Sequence, residues 1–540
     1  MIRRHEATAA QAFFSTADAV SCCAEDQSNK EHVAGAIFAK NLVNYRLEHS
    51  IPWFLTVVGG YQDAMTTGAV ISRQEWVFKS KEVDKEVPDL DERGQAIYDE
   101  FGRAAMTTEK ETVVEQDHPD IVLLPTENFR FDPACDWRDP VKSSPYLIEL
   151  MPMYVYQVKE RMDIDNEKTG EKKWHRYTDG EITSAIETGN YDSTRLVREG
   201  QREDSKDIRH EVGLFDIVWV HRNIVNIEGD DWLYYTLGTD FLLSEPVPVD
   251  EVFLHGRPYA VGTANIETHK VYPAGIPELG QDLQAEANDI ANGRLDNIKL
   301  ILNKRHLVKR GTNVDWRALT TSTPGGVVLV DDLNHIKEEA MSDITSSSYQ
   351  EQDRINVDFD ELVGTFTQGS VQTNRSLNET VGGMNIAQDD SNLVSEYQLR
   401  IFVETWAERV LRQIVQMEIH YETDTRILAL ASGEYQAAAE IVEELIKVPM
   451  GVRVSIGFGS TSPSKRIEKM AIGLDTVAKF APQKLQQLDG NEVVKEVFGA
   501  LGFRDGSRFF KSEDQVDPQV AELQAQLQEA MEIIKTKKLE

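Results

Sequence analysis

The stretch from Leu279 to Leu302 reads Leu-Gly-Gln-Asp-Leu-Gln-Ala-Glu-Ala-Asn-Asp-Ile-Ala-Asn-Gly-Arg-Leu-Asp-Asn-Ile-Lys-Leu-Ile-Leu. Leu279, Leu283, Ala287, Ile290, Leu295, Ile298 and Leu302 recur three, four or five residues apart. That spacing predicts one helix whose apolar stripe drifts along its length, with Asp282, Glu286, Asp289, Arg294 and Asp296 on other faces. A compact β-rich insert follows over Lys304 to Asp332. His306-Leu307-Val308 and Gly326-Val327-Val328-Leu329-Val330 read as strands, and Pro324-Gly325-Gly326 as a turn. A second helix is expected from Ser348, which stands at capping-box spacing from Glu351. Ile355, Phe359, Leu362 and Val363 continue it on one face, and Gly364 marks its end.

Beyond this helix–sheet–helix unit lies a loop too polar to be core, Thr365 to Ser376. Gly382-Gly383 punctuates the chain. A long helix is then expected from Ser391 to Tyr421, with Phe402, Trp406, Val410, Ile414 and Met417 as its stripe. At 1.5 Å per residue it would be roughly 45 Å long. Tyr435 to Ile446 reads as helix, Val452 to Ile456 as strand, and Ser464 onward as helix. The Gln-, Glu- and Lys-rich tail, Pro518 to Glu540, is amphipathic and suits either a partner helix or an exposed terminal helix.

Working backward, the residues up to about Ser50 read as helical. Pro52 suits the first turn of another helix, and Gly59-Gly60 fits either close packing or a break. From about Val70 to Val271 short strand-like runs recur: Trp76 to Phe78, Ile121 to Leu124, Tyr154 to Tyr156, Phe215 to Val220 and Trp232 to Tyr235. Charged stretches, Ser80 to Glu115 and Arg161 to Arg209 above all, separate them. Pro273 and Pro277 close this α+β region.

The 540 residues carry a formal charge of −34, with 41% hydrophobic and 27% charged residues, a composition that fits a folded chain. Such an acidic surface opposes tight nucleic-acid binding, which needs Lys and Arg against phosphate. It still suits a wall past which a polyanion slides, provided the wall is within roughly a Debye length of 8–10 Å. No apolar run approaches the roughly 20 residues of a membrane span, and the N-terminus does not read as a signal peptide. Three cysteines, Cys22, Cys23 and Cys135, fit a reducing compartment.

A search for chemistry finds incomplete patterns. Ile456-Gly457-Phe458-Gly459-Ser460 lacks the Gly-Lys-Ser/Thr of a nucleotide-binding loop, and a strand-to-helix turn is expected there. Asp163-Ile164-Asp165-Asn166-Glu167 has Lys168 where a calcium loop needs glycine and Trp174 where it needs glutamate. His255, His269, His306, His335 and His420 are scattered, and Asp331-Asp332 and Asp389-Asp390 read as loop or capping residues. No catalytic residue, metal site or cofactor is expected. One local anomaly is the group Lys304, Arg305, Lys309, Arg310 and Arg317 within so acidic a chain. It reads either as a solvated face or as a docking surface for an acidic partner or phosphate.

The order of parts resembles the central unit of tailed-phage portal proteins, in which stem helix, clip, stem helix, tunnel loop and long wing helix follow one another. Arg294 to Arg305, Thr345 to Arg354 and Asn378 to Met384 are similar to the corresponding passages of short-tailed phage portals. So are Ile51-Pro52-Trp53-Phe54 and Tyr61-Gln62-Asp63-Ala64. The resemblance implies an α+β subunit with an N-terminal helix and wing over 1–278, a first stem helix over 279–303 and a clip over 304–345. A second stem helix (346–364), a tunnel loop (365–384), a long helix with further wing (385–480) and a helical crown-like tail (481–540) would complete it. It implies a homo-dodecameric ring at a capsid vertex, assembled in the host cytoplasm, through which double-stranded DNA is packaged and ejected. Terminase, tail-adaptor and head-completion proteins, major capsid protein and scaffolding protein are the implied partners, with no membrane and no catalysis.

Carried over by position, Thr367, Gln368, Ser370, Gln372, Asn374 and Arg375 would face passing DNA with weak polar contacts. Lys304, Arg305, Lys309, Arg310 and Arg317 would dock the clip's partners. Two other readings compete. A different ring-forming tail adaptor shares the acidic charge and long helices, although such adaptors are shorter. An acidic hydrolase would require a pocket of convergent polar groups.

Overall fold

A computed structural model describes residues 2–14, 18–24, 26, 28–88, 106–164, 173–188, 213, 216–253, 255–302, 306–321, 327–338, 345–363, 394–422, 427, 450–454, 463–480 and 490–500. In chain order the elements used below are α1 (Ile2–Phe13), β1 (Val20–Ala24), α2 (Lys30–His49), α3 (Trp53–Thr66), β2 (Val70–Pro88), β3 (Met106–Leu124), β4 (Phe129–Phe131) and β5 (Tyr146–Tyr154). Then come α4 (Val155–Asp163), α5 (Asp179–Thr188), β6 (Ile217–Ile227), β7 (Asp230–Leu237), β8 (Phe241–Leu242), β9 (Val247–Pro248) and β10 (Tyr259–Gly262). The chain continues with α6 (Gln281–Leu302), β11 (His306–Val308), α7 (Trp316–Thr320), β12 (Ile336–Glu338), α8 (Thr345–Val363) and α9 (394–421). Last are β13 (Met450–Val454), α10 (Pro463–Phe480) and α11 (Gly490–Ala500). Helix and sheet are mixed, as the α+β expectation has it. The chain divides into two units, passing between them within α1, α3, β2, β3 and α9.

Unit 1 comprises residues 1–6, 59–73 and 122–409. Its main sheet runs in the order β4-β5-β6-β7-β8, with β9 also on β7, and all its pairings are antiparallel. One apolar cluster gathers Phe129, Leu147, Ile224 and Leu233 of this sheet with Ile71, Tyr259 and Val261 of the β10-β2-β3 sheet. Another packs Val155, Val158 and Met162 of α4 and Ile182 of α5 against Val218, Val220 and Leu237. Trp174 is buried in that second cluster, so its position belongs to the core.

Within unit 1 a polar node joins the main sheet to the β10-β2-β3 sheet. Glu149 of β5 pairs in register with Arg222 of β6, and Tyr259 of β10 with Arg73 of β2. Glu149 Oε2 accepts from the Tyr259 hydroxyl at 2.8 Å and from Arg222 Nη1 at 3.5 Å, while Oε1 accepts from Arg73. Burial, followed by the Glu149 charge, pushes the Tyr259 phenol far above its ordinary pKa, which keeps it a donor. The Arg222 guanidinium lies 5.7 Å from the Tyr235 and Phe253 ring centroids.

The long helix α9 holds the expected stripe, with Phe402, Trp406, Val410, Ile414 and Met417 all buried. It contains a π-helical turn at Val403–Ala407, which the sequence does not disclose. Within unit 1 that turn is fastened to the sheet. Thr405 Oγ1 accepts from the Thr263 amide at 3.0 Å, and Trp406 Nε1 donates to Ser72 Oγ at 2.8 Å. A Cβ on Gly262 would stand 2.4 Å from Trp406 Cβ and 2.9 Å from its amide nitrogen, so helix and strand can approach this closely only at glycine. Gly262→Ala is expected to cost about 1–3 kcal/mol through overpacking, read as a lower midpoint in chemical denaturation. Gly59 and Gly60 likewise serve close packing without breaking α3: a Cβ at Gly60 would meet Val70 at 3.2 Å and Trp406 at 3.4 Å.

Unit 2 comprises residues 7–58, 74–121 and 410–540. Here β1 pairs antiparallel with β13, Val20 opposite Val454. Asn44 of α2 ties β1 down, accepting from the Val20 amide at 3.1 Å and donating to the Val20 carbonyl at 3.0 Å. Cys22 lies in β1, where burial pushes its thiol up to about 12, and the three cysteines are free.

Three local expectations are corrected. The charged stretch expected between strands is itself strand at both ends, since β2 extends to Pro88 and β3 starts at Met106. Charged side chains suit an exposed ribbon, where Lys110 Nζ meets Glu82 Oε2 across it at 2.9 Å. Of Tyr154-Val155-Tyr156, expected as strand, Tyr154 alone is strand, the last residue of β5. Val155 opens α4, and Gln157 Oε1 accepts from the Tyr154 amide at 3.1 Å, which turns the chain into the helix. The helix expected from Ser348 begins at Thr345 instead, and the Ser348 hydroxyl donates back to the Thr345 carbonyl at 2.8 Å.

Candidate functional site

The helix–sheet–helix unit singled out by its sequence lies in unit 1 as α6, a small β insert and α8. The two helices pack on each other. Arg294 clamps them, with its guanidinium 4.3 Å from the Tyr349 ring centroid and Nη1 donating to Gln352 Oε1 at 2.6 Å. At the base of the pair Gly280 sits against Phe359, where a Cβ would stand 3.0 Å from the ring. An open groove of about 820 Å3 lies there between Ile2 and Arg3 of α1, Gln284 and Asn288 of α6, and Phe359.

What this pair does not bury is more telling. Not one residue of α6 is buried. Half-buried Leu283, Ala287, Ile290, Arg294, Asn297 and Ile301 lie along its inner edge, with half-buried Ala291 and Leu300 beside them. The expected single stripe therefore splits at the five-residue step from Ile290 to Leu295. Leu295, Ile298 and Leu302 fall on a separate row, exposed by 53%, 36% and 73%. On α8, Tyr349 and Leu362 are exposed as well, whereas Ile355 is buried. Two helices of 22 and 19 residues carrying so much bare apolar surface call for a further partner.

Among the described residues, few backbone bonds hold the insert. β11 and β12 have three residues each and pair antiparallel, His306 opposite Glu338. Of the strand expected over Gly326 to Val330, the described residues 327–330 make one bridge, Val314 to Val330, and Val327 and Leu329 are exposed by 78% and 73%. A run with β propensity forms a strand only where a partner strand is available. Asp315 caps α7, accepting from the amides of Arg317 and Ala318. Leu307, Trp316 and Leu333 are exposed too.

Of the basic group, Lys309, Arg310 and Arg317 are exposed and form no ion pair among the described residues, while Lys304 and Arg305 lie outside those residues. The polar loop residues Thr367, Gln368, Ser370, Gln372, Asn374 and Arg375 also lie outside them, as do the glycine-rich turn at 456–460 and the tail. The exposure of the insert's apolar members escaped the sequence reading, which took Leu307 and Val327 to Val330 as strand residues. The run Val327 to Val330 and the lone Trp316 were their visible signals. Among the described residues no helix is long and apolar enough to cross a membrane.

Comparison with known families matches residues 9–536, nearly the whole chain, to the phage SU10 portal protein family. The chain belongs to that family. No curated protein matches the sequence. The portal resemblance carried by Arg294 to Arg305, Thr345 to Arg354 and Asn378 to Met384 is therefore correct. Portal proteins are structural, non-enzymatic components of the phage capsid, and membership of the family implies a homo-oligomeric ring.

Proposed function

We propose that this portal protein forms a dodecameric ring at one capsid vertex and is the conduit for double-stranded DNA during packaging and ejection. The row Leu295, Ile298 and Leu302, left bare beside α8, is the observation that carries the proposal. Burying such a row against the next copy, head to tail around a closed ring, removes it from water in every subunit at once. In this reading α6 and α8 are the stem. The insert between them is the clip, and 365–384 the tunnel loop. The N-terminal helix and wing comprise 1–278, with the long helix and further wing over 385–480, and 481–540 is the crown-like tail.

The acidic charge of −34 supports passage over grip. Terminase, and later tail-adaptor and head-completion proteins, dock on the clip. Lys309, Arg310 and Arg317, with Lys304 and Arg305, offer cations to acidic partners, and exposed Trp316, Leu329 and Leu333 add apolar anchors of the kind that dominate binding energy. Capsid and scaffolding proteins contact the ring during assembly in the host cytoplasm. The conduit role is tested by deleting Gln368 to Arg375. Rings are expected to form normally while DNA packaging or retention in particles falls. Unchanged packaging would remove the tunnel-loop assignment.

A further inference from the structure

Unit 2 encloses two carboxylates on one guanidinium. Arg46 of α2 donates from Nε to Glu418 Oε1 at 2.9 Å and from Nη2 to Glu422 Oε2. The same Nη2 donates to the Asp117 carbonyl at 3.2 Å, and Nη1 donates to Ser50 Oγ at 3.3 Å. The guanidinium lies 5.9 Å from the Trp76 ring centroid, and the Trp76 indole in turn donates to Asp117 Oδ1 at 2.7 Å. Side-chain exposure is 4% for Arg46 and 1% for each glutamate. Glu418 Oε2 is buried and accepts no hydrogen bond.

We propose that Glu418 carries a proton at neutral pH and that losing it is a built-in switch, loosening α9 from α2 within unit 2. A second buried anion beside one cation is costly, because desolvation is offset only by close pairing and by donors to its remaining lone pairs. Glu418 has an oxygen with no donor, so it is the member that takes the proton. Around the pair stand Arg46 of α2, which donates to Glu418, and Glu422, one residue past α9 and held by the same guanidinium. Asp117 of β3 also accepts from Arg46 through its carbonyl, while the Tyr421 ring of α9 lies 5.5 Å from the Trp76 ring. From β2 the Trp76 ring lies against the Arg46 guanidinium, and its indole engages the Asp117 carboxylate.

The electrostatics agree. Burial pushes the Glu418 carboxyl up to about 8, Arg46 pulls it back, and Glu422 pushes it further up. An acid whose folded-state value lies above its ordinary 4.5 gives stability that is full below 4.5 and lost as pH rises through about 8. The contact therefore weakens toward alkaline pH, a direction opposite to that of an ordinary ion-paired carboxylate.

Hydrogen–deuterium exchange of the full-length protein, comparing wild type with Glu418→Gln at pH 6 and at pH 9, tests this. After correction for intrinsic exchange, wild-type protection in 30–49 and 408–421 is expected to fall by about tenfold or more between the two pH values. Glu418→Gln, which keeps the shape without the titration, is expected to hold its protection and exceed wild type at pH 9. Should Glu418→Gln fold poorly, Glu422→Gln serves in its place, since removing the second carboxylate also flattens the profile. Parallel pH profiles in wild type and variant, or a variant less protected by the same factor at both pH values, would overturn the proposal.

Discussion

Glu149→Leu is expected to lower the stability of unit 1 by about 3–5 kcal/mol, enough to unfold a marginal domain. The side chain is 2% exposed and joins Arg73, Arg222 and Tyr259 from three other strands. Its removal leaves two guanidiniums in the core without the carboxylate that lies between them. It also removes the acceptor of the Tyr259 hydroxyl. Breaking such a group by deleting one member costs far more than the intact group contributes, because the remaining charges stay desolvated. Chemical denaturation, followed by fluorescence and compared with wild type at the same pH, measures the loss. A change below about 1 kcal/mol, the range of surface ion pairs, would mean that the node is solvated.

Replacing Leu295, Ile298 and Leu302 together by serine is expected to abolish ring assembly while leaving the subunit folded. Each apolar side chain removed from an interface loses about 1.5–3 kcal/mol, and a closed ring repeats that loss at every contact. The row is exposed in the subunit, so its loss is not a core mutation. Analytical ultracentrifugation should show small species in place of a large one, with an unaltered circular dichroism spectrum. Assembly equal to wild type would assign the row to another partner.

Periodicity made much of this fold readable. The positions Leu283, Ala287 and Ile290 announced α6, and Phe402 to Met417 announced the buried side of α9, because both stripes repeat at the helical period. The same regularity concealed the π-helical turn, since Phe402 before it, Trp406 within it and Val410 after it keep four-residue spacing. β1 was hidden for a different reason. Val20 to Ala24 is a short run whose partner, β13, lies at Met450–Val454, so only the tertiary fold joins them. The charged ends of β2 and β3 read as turns because an exposed ribbon has no buried face to impose an apolar alternation.

The candidate site was legible in part. The five-residue step from Ile290 to Leu295 appeared as drift in one stripe, whereas it divides an inner edge from an outer row. Lys309, Arg310 and Arg317 could be picked out by charge against an acidic background. The apolar side chains beside them could not, since Leu307, Trp316 and Leu333 look like core residues of a small sheet until burial is known.

Electron microscopy of the purified full-length protein is the most direct measurement. Twelve copies around an axial opening wide enough for a DNA duplex, with the α6 and α8 helices of neighbouring subunits lining it, are what this account predicts. A species that stays monomeric at high concentration, or an assembly closed along its axis, would contradict it.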